Sequence, residues 1–147
     1  MSTFAIAQRA FPELAPRPDL MDKAHDAVAE RVGHLSLAHG RAVFQTWPAP
    51  AQARGWLPVR LYLHRGTDDA TNVLGWGRQG EAQEVWFCAA DGTVQRYDLA
   101  KLRAAMDARM LAKTAPVCPD LTHTNAHGRT SVARFVPIAD LAGARLA

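Results

Sequence analysis

The residues best suited to bind a metal ion lie together near the C-terminal end of the chain. Cys118, His123 and His127 are separated by four and three residues. Thiolate and imidazole are ligands that zinc prefers, and a flexible loop can wrap around an ion. The spacing matches no common zinc motif, and a complete site would have to recruit a fourth ligand, His64 or Asp120. Zinc at this loop is therefore a hypothesis, and no other cofactor is expected.

The same loop offers a second kind of chemistry. His123 or His127 would act as a base toward a nearby hydroxyl group, such as that of Thr124, Thr130 or Ser131. No nucleophile-elbow motif accompanies these residues. A small metal- or His-dependent hydrolase that uses the 118–127 loop is accordingly the alternative to the function favoured below.

A glycine-rich string resembles a phosphate-binding loop. Gly75-Trp-Gly-Arg-Gln-Gly80 has the pattern G-x-G-x-x-G, but a dinucleotide-binding fold requires a helix directly afterwards, and a strand is predicted here. With Leu74 before it and Glu81 after it, the string resembles the Gly-rich loop of protein kinases. Gln95-Arg96-Tyr97 stands where that family has its lysine, and the chain contains neither an HRD nor a DFG string. The string is therefore interpreted as a glycine-rich hairpin turn.

Tryptophan and arginine side chains recur on the predicted strands or at their ends. Aromatic rings interleaved with arginines on a sheet can stack nucleic-acid bases or anchor a protein partner. Trp86 is expected in the core, whereas the exposure of Trp76, which lies between two glycines, is left open. The predicted binding residues are Trp76, Arg78, Arg60 and Arg96.

The clearest stretch for assigning elements is 72–113, which reads as three strands followed by a helix. Asp91-Gly92 predicts a tight hairpin turn with a positive φ at Gly92. A two-residue loop places Trp86 opposite Tyr97, whereas a three-residue loop with a bulge places it opposite Arg96, and the sequence does not decide between them. The strand 84–89 is apolar on both faces, which predicts a central position. Asp98 is the expected N-cap of the helix, with Leu99, Leu102, Met106 and Met110 on one face.

The rest of the chain completes the predicted fold. A helix is expected from Asp19, and strands are expected over 41–47, 56–64 and 131–136, with Pro58 marking a sheet edge or a strand start. The segment 1–18 is rich in proline, and 114–130 is a long irregular loop. The fold class is α+β: an antiparallel sheet of about five to six strands with two amphipathic helices packed on one face, in a single domain spanning 1–147.

Composition limits the function without identifying it. The chain has 147 residues, a net charge of +3 and two cysteines, and its basic residues form no block. The excess of arginine over lysine and the many alanines suggest a bacterial source. No signal peptide or membrane span is recognised, which predicts a cytoplasmic protein with no membrane partner. The favoured function is a non-catalytic interaction module that binds a protein or nucleic-acid partner through an Arg/Trp-bearing sheet edge or turn.

Overall fold

The computed structural model describes residues 3–10, 34–37, 40–66, 72–111, 120–124 and 130–146. Its elements in chain order are α1 (Thr3–Ala10), β1 (His34–Leu37), β2 (Gly40–Trp47), α2 (Ala49–Ala53), β3 (Trp56–His64), β4 (Val73–Leu74), β5 (Glu84–Ala89), β6 (Val94–Asp98), α3 (Leu99–Leu111), β7 (Asp120–Thr124), β8 (Thr130–Pro137) and a 3₁₀-helix (Ile138–Ala144). No helix within these ranges is long and apolar enough to cross a membrane.

The strands form two sheets. The first sheet has the order β1-β2-β5-β6, and the second has the order β4-β3-β8-β7. The broad α+β class is confirmed, but the prediction of one antiparallel sheet is wrong. The reason is that β2 and β5 pair in parallel, from Ala42 opposite Glu84 to Trp47 opposite Ala89. A parallel pair needs a long crossover, and here the crossover itself contributes β3 and β4 to the second sheet.

The main core lies between the two sheets. It contains alternate residues of the central strands of both sheets, which is the period-two pattern expected of a half-buried strand. Helix α3 closes it, and the Asp98 carboxylate caps that helix by accepting a hydrogen bond from the Lys101 amide at 3.0 Å, as predicted. The principal buried side chains are Val43, Val85 and Phe87 of the first sheet, Leu57, Val59 and Leu61 of the second sheet, and Leu99, Leu102 and Met106 of α3.

A smaller core covers the opposite face of the first sheet. Ile6 of α1 packs there against Phe44, Trp86 and Cys88, and the rings of Phe44 and Trp86 meet edge to face at 5.0 Å. The central position predicted for β5 is confirmed, because β5 is buried along its whole length. Of the described helices, α1 and α3 cover opposite faces of the first sheet, whereas the expectation of two helices on one face concerned α3 and a helix from Asp19. The helix predicted from Asp19 lies outside the described residues.

The hairpin between β5 and β6 has the three-residue loop. Trp86 lies opposite Arg96, and Gly92 has a φ of 92°, as predicted. The Asp91 carboxylate accepts a hydrogen bond from the Thr93 amide at 2.9 Å and another from the Gln52 side chain at 2.9 Å. These hydrogen bonds, of which that from Thr93 has the largest effect, lower the pKa of Asp91. The turn is thereby joined to α2.

Strand β3 occupies the middle of the second sheet rather than its edge. Pro58 lies opposite Phe135 of β8, near the start of the strand, whereas the pairing with β4 begins only at Tyr62. The missing amide of Pro58 is tolerated because β4 does not reach that position. The prediction of a strand start is therefore confirmed, and at Pro58 no described strand pairs with β3 on the β4 side. One extra residue of β3 is inserted between Arg60 and Tyr62 relative to β8.

Candidate functional site

The Gly75–Gly80 turn, which the sequence suggested as a binding surface, holds its tryptophan in the core. Trp76 is 4% exposed. Its indole Nε1 donates a hydrogen bond to Gln45 Oε1 at 2.9 Å, and its ring meets Phe87 edge to face at 5.7 Å. Trp76 is therefore a buried residue, and a surface role for its side chain is wrong.

The glycines of the turn are explained by packing. A Cβ atom on Gly75 would lie 2.5 Å from Arg60 Cγ, and one on Gly77 would lie 2.6 Å from Val59 Cγ1. The Gly75 amide donates to the Leu61 carbonyl at 2.9 Å, and the Gly77 amide donates to the Arg60 carbonyl at 2.8 Å. The turn thus runs directly against β3, where only glycine fits, so the G-x-G-x-x-G pattern reflects this contact rather than phosphate binding.

Arg103 of α3 fixes the other side of the turn. Its guanidinium donates two hydrogen bonds to the Trp76 carbonyl, at 2.8 and 3.0 Å, and others to the Gln79 and Gly80 carbonyls, at 2.8 and 3.4 Å. Burial lowers the pKa of Arg103. Because three carbonyl groups of the turn are already bonded to one side chain, this turn is a rigid structural connection between β3 and α3.

Two of the predicted binding arginines are also held inside the fold. Arg60 is 3% exposed, beneath the glycine turn. Arg96 forms an ion pair with the buried Glu84, and its guanidinium lies 5.1 Å from the Trp86 ring centroid. Trp86 Nε1 donates to the same Glu84 oxygen at 3.2 Å. Arg96, Glu84 and Trp86 therefore form an internal cluster in which the positive charge is neutralised.

Arg78 is the one member of the predicted binding set that lies at the surface. Its guanidinium is exposed and lies 5.9 Å from the Tyr62 ring centroid. Arg65, also exposed, lies 5.6 Å from the same ring. We call Tyr62, Arg65 and Arg78 the Tyr62 cluster.

A second exposed cluster lies at the start of β3. The Arg54 guanidinium is 5.1 Å from the Trp56 ring centroid, and the Trp56 ring stacks on Phe135 at 5.9 Å with an interplanar angle of 28°. We call Arg54, Trp56 and Phe135 the Trp56 cluster. Sequence reasoning missed Arg54 and Phe135. The Arg54-Gly55-Trp56 sequence could have suggested the first contact, whereas the second depends on the pairing of β3 with β8.

The two clusters place three arginines on aromatic rings near the two ends of β3. Among the residues that the structure describes, no carboxylate lies within ion-pair distance of Arg54, Arg65 or Arg78. A guanidinium that rests on a ring still has N–H donors around its edge, in a geometry that matches carboxylate or phosphate. The clusters can therefore bind anionic groups.

Comparisons with protein-family models, with curated protein sequences and with solved structures found no match. The proposals below therefore depend on the chain's own residues.

The predicted zinc site falls mostly outside the described part of the chain. Cys118 and His127 lie there, and His123 is on β7 opposite Ser131. The described ranges contain no group of three side chains arranged to hold a metal ion. His64, a candidate fourth ligand, accepts a hydrogen bond at Nδ1 from the Thr130 amide at 3.1 Å, which leaves Nε2 as the nitrogen for any ligand. Zinc binding and the hydrolase alternative stay predictions.

Proposed function

We propose that this protein is a non-catalytic interaction module that binds a protein or nucleic-acid partner through the Trp56 and Tyr62 clusters of β3. The observation that carries the proposal is the set of three exposed guanidiniums, each held on an aromatic ring and none paired with an acid in the described residues. The surface differs from the predicted one. Of the four predicted binding residues it keeps only Arg78. The buried Trp76 and Arg60 and the ion-paired Arg96 are replaced by the other members of the two clusters.

The residue types in the clusters support binding. Tryptophan, tyrosine and arginine are the types enriched where a few side chains supply most of the energy of an interface. An arginine that already rests on a ring has fewer rotamers to lose on binding, so less side-chain entropy opposes the association. The aromatic contacts thus hold the guanidinium groups in place before a partner binds.

The strand beneath the clusters is a firm support. Leu57, Val59 and Leu61 of β3 are buried in the main core, and Trp47 Nε1 donates a hydrogen bond to the Trp56 carbonyl at 2.7 Å. The rings of Trp56, Tyr62 and Phe135 lie on strands, where side chains hold their positions better than on loops, whereas Arg54, Arg65 and Arg78 lie outside the strands, next to these rings.

The test compares two triple variants with equal charge changes. The cluster variant carries Arg54→Gln, Arg65→Gln and Arg78→Gln. The control variant carries the same change at exposed arginines elsewhere, namely Arg9, Arg41 and Arg145. Both variants should keep the wild-type fold by circular dichroism, since surface changes usually stay within about 0.5 kcal/mol each.

The three proteins are immobilised and exposed to an extract of the source cell, and bound protein and nucleic acid are quantified. We expect the wild type and the control to retain the same material and the cluster variant to lose it. Equal retention by all three proteins, or retention by none, would overturn the proposed function.

A further inference from the structure

The Tyr62 cluster holds two arginine side chains against one aromatic ring. On the basis of the function proposed above, we infer that Arg65 and Arg78 together bind a phosphate monoester, carried by a phosphorylated serine or threonine side chain of a protein partner. Three properties of the cluster lead to this ligand: its separate position in the fold, the anchoring of both arginines, and the two charges that they bring together.

The Tyr62 cluster is a surface of its own. Residues that pair across two strands lie on the same face of a sheet, and Pro58 lies opposite Phe135 whereas Tyr62 lies opposite Val132. Phe135 and Val132 are three positions apart on β8, so they lie on opposite faces of the second sheet. The Tyr62 cluster and the Trp56 cluster are therefore on opposite faces, and the ligand must be one that two arginines and one ring can bind by themselves.

Both arginines of the cluster are attached to an anchored backbone. The Arg65 amide donates a hydrogen bond to the Thr130 carbonyl at 2.7 Å, and the Arg78 amide donates to the Gly75 carbonyl at 3.0 Å. Arg78 also belongs to the turn whose carbonyl groups are bonded to Arg103. With each backbone held and each guanidinium resting on a ring, little conformational freedom is left to lose when a ligand binds.

The two guanidiniums bring two positive charges to one place. They lie 5.6 and 5.9 Å from the same Tyr62 ring centroid, so the distance between them is at most the sum of these two. Within the described ranges, neither has a carboxylate at ion-pair distance. Like charges at short range repel each other, and an anion that contacts both guanidiniums offsets this repulsion.

A phosphate monoester matches two adjacent guanidiniums better than a carboxylate or a phosphodiester does. It carries about −1.5 to −2 charges near pH 7 and three acceptor oxygens, and each guanidinium can donate two parallel hydrogen bonds to it. A carboxylate has a single charge and two oxygens, which one arginine already occupies in this geometry. A phosphodiester in a nucleic-acid backbone also carries a single charge.

The surroundings of the ring favour a phosphorylated side chain over the terminal phosphate of a nucleic acid. A terminal nucleotide brings a base next to its phosphate, and bases bind where an aromatic face is open to stacking. The half-buried Tyr62 ring packs against the main core and carries both guanidiniums, which leaves little of its face for a base. A phosphoserine carries its phosphate on a short side chain and needs no such face.

The experiment measures binding by fluorescence anisotropy at about pH 7, where the monoester is largely a dianion. The probe is a pool of fluorescent peptides that share one phosphoserine and differ in the uncharged residues around it. The same pool without phosphate, the same pool with glutamate in place of phosphoserine, and a 5′-phosphorylated oligothymidylate are measured in parallel. The two phosphate-free pools should bind at least about tenfold more weakly, because one hydrogen bond to a charged group is already worth that factor.

Variants of the protein locate the binding. Arg65→Gln and Arg78→Gln should each weaken binding of the phosphopeptide pool at least about tenfold. Arg78→Lys keeps the charge but loses the paired donors, so its affinity should lie between those of the wild type and Arg78→Gln. Arg9→Gln and Arg145→Gln, at exposed arginines outside both clusters, should leave the affinity unchanged. A thermal melt of each variant selects the temperature at which all are folded.

Three results would overturn the inference: no binding of the phosphopeptide pool, equal binding of either phosphate-free pool, or equal losses in the cluster and control variants. Tighter binding of the oligothymidylate than of the phosphopeptides would also overturn it, because the partner would then be a nucleic-acid end.

Failure of this inference is distinct from failure of the proposed function. In the extract experiment, prior treatment of the extract with a protein phosphatase should remove the partner that the wild type retains. If the wild type still retains a partner that the triple cluster variant loses, both before and after the phosphatase, the proposed function holds and the inference about a phosphate monoester is wrong.

Discussion

Two arginine–tryptophan pairs in this protein have the same spacing and different surroundings. Arg96 lies 5.1 Å from the Trp86 ring, and Arg54 lies 5.1 Å from the Trp56 ring. The first pair includes a third member, the carboxylate of Glu84, which binds both the guanidinium and the indole N–H. Trp86 is 2% exposed. The second pair lies at the surface, and its arginine has no acidic partner among the described residues.

The difference lies in whether a carboxylate neutralises the arginine of the pair. A buried carboxylate uses the donors of Arg96 and neutralises its charge, so that pair stabilises the first sheet. Without such an acid, the donors of Arg54 remain available to an anion from outside. Residue type and contact distance are equal in the two places, so the two pairs differ in burial and in the presence of the Glu84 carboxylate.

The largest expected difference is between the two tryptophans. Trp86→Ala should destabilise the protein by about 3–5 kcal/mol, the range for truncating a large buried aromatic side chain. Trp56→Ala should cost less, because the Trp56 ring is only partly buried. Urea denaturation of both variants gives the two free energies of unfolding. Equal losses would show that the two tryptophans are buried to the same extent and would remove the contrast.

The second prediction concerns the acid. Glu84→Gln keeps the shape of the side chain but removes the charge that pairs with Arg96, which should cost roughly 1.5–3 kcal/mol, the range for hydrogen bonds to charged groups. Glu81→Gln is the matched control, because Glu81 is 84% exposed in its pair with Arg41, and exposed pairs contribute only about 0–1 kcal/mol. A Glu84 variant as stable as the Glu81 variant would contradict the structural role of the internal cluster.

The third prediction tests the turn that places Arg96 opposite Trp86. Gly92 has a φ of 92° and no neighbour within 4 Å of an added Cβ atom, so a side chain there meets backbone strain rather than a clash. Gly92→Val should cost at least about 1–2 kcal/mol. Gly143→Val is the control, since it has the same open space without the positive φ. If differential scanning calorimetry gives both variants the same melting temperature, the assigned turn is wrong.

The smallest effect is expected at the exposed arginine. Arg54→Gln should change the free energy of unfolding by no more than about 0.5 kcal/mol, as is usual for surface positions. Arg96→Gln should cost clearly more, because it leaves the buried Glu84 carboxylate without its cation. Parallel thermal melts of the two variants provide the comparison. A larger loss for Arg54→Gln would mean that the Trp56 cluster is a structural contact.

The sequence was sufficient for features set by neighbours along the chain. The Asp91-Gly92 turn, the cap at Asp98 and the two-faced burial of 84–89 depend on local residue preferences, and all three are confirmed. The register of the hairpin was narrowed to two choices, because turn length alone separates them. The second sheet was not predicted, since the parallel pairing of β2 with β5 is specified by contacts between distant segments.

The same limit explains the errors at the candidate site. The exposure of Trp76 between two glycines could not be decided, because its burial depends on Gln45 and Phe87, which are distant in sequence. The glycines themselves were read as a turn, and the strand against which they pack was not identified. Arg78 was chosen correctly as a surface residue, whereas its aromatic partner Tyr62 lies on a different strand. Side-chain type therefore suggested the residues, and the tertiary fold determined which of them reach the surface.

The parallel pairing of β2 with β5 also leads to an expectation about how the chain folds. The β5–β6 hairpin and α3 are built from local contacts, which form early and rapidly. We expect β2 to pair with β5 later, because this pairing closes a long loop at a cost in chain entropy. Until then, the apolar residues Val43 and Phe44 lie on a strand that is paired with β1 on one side only, and its other side is the kind of exposed edge that leads to association between chains. Refolding should therefore slow and lose yield as protein concentration rises, well before any loss of stability is measured.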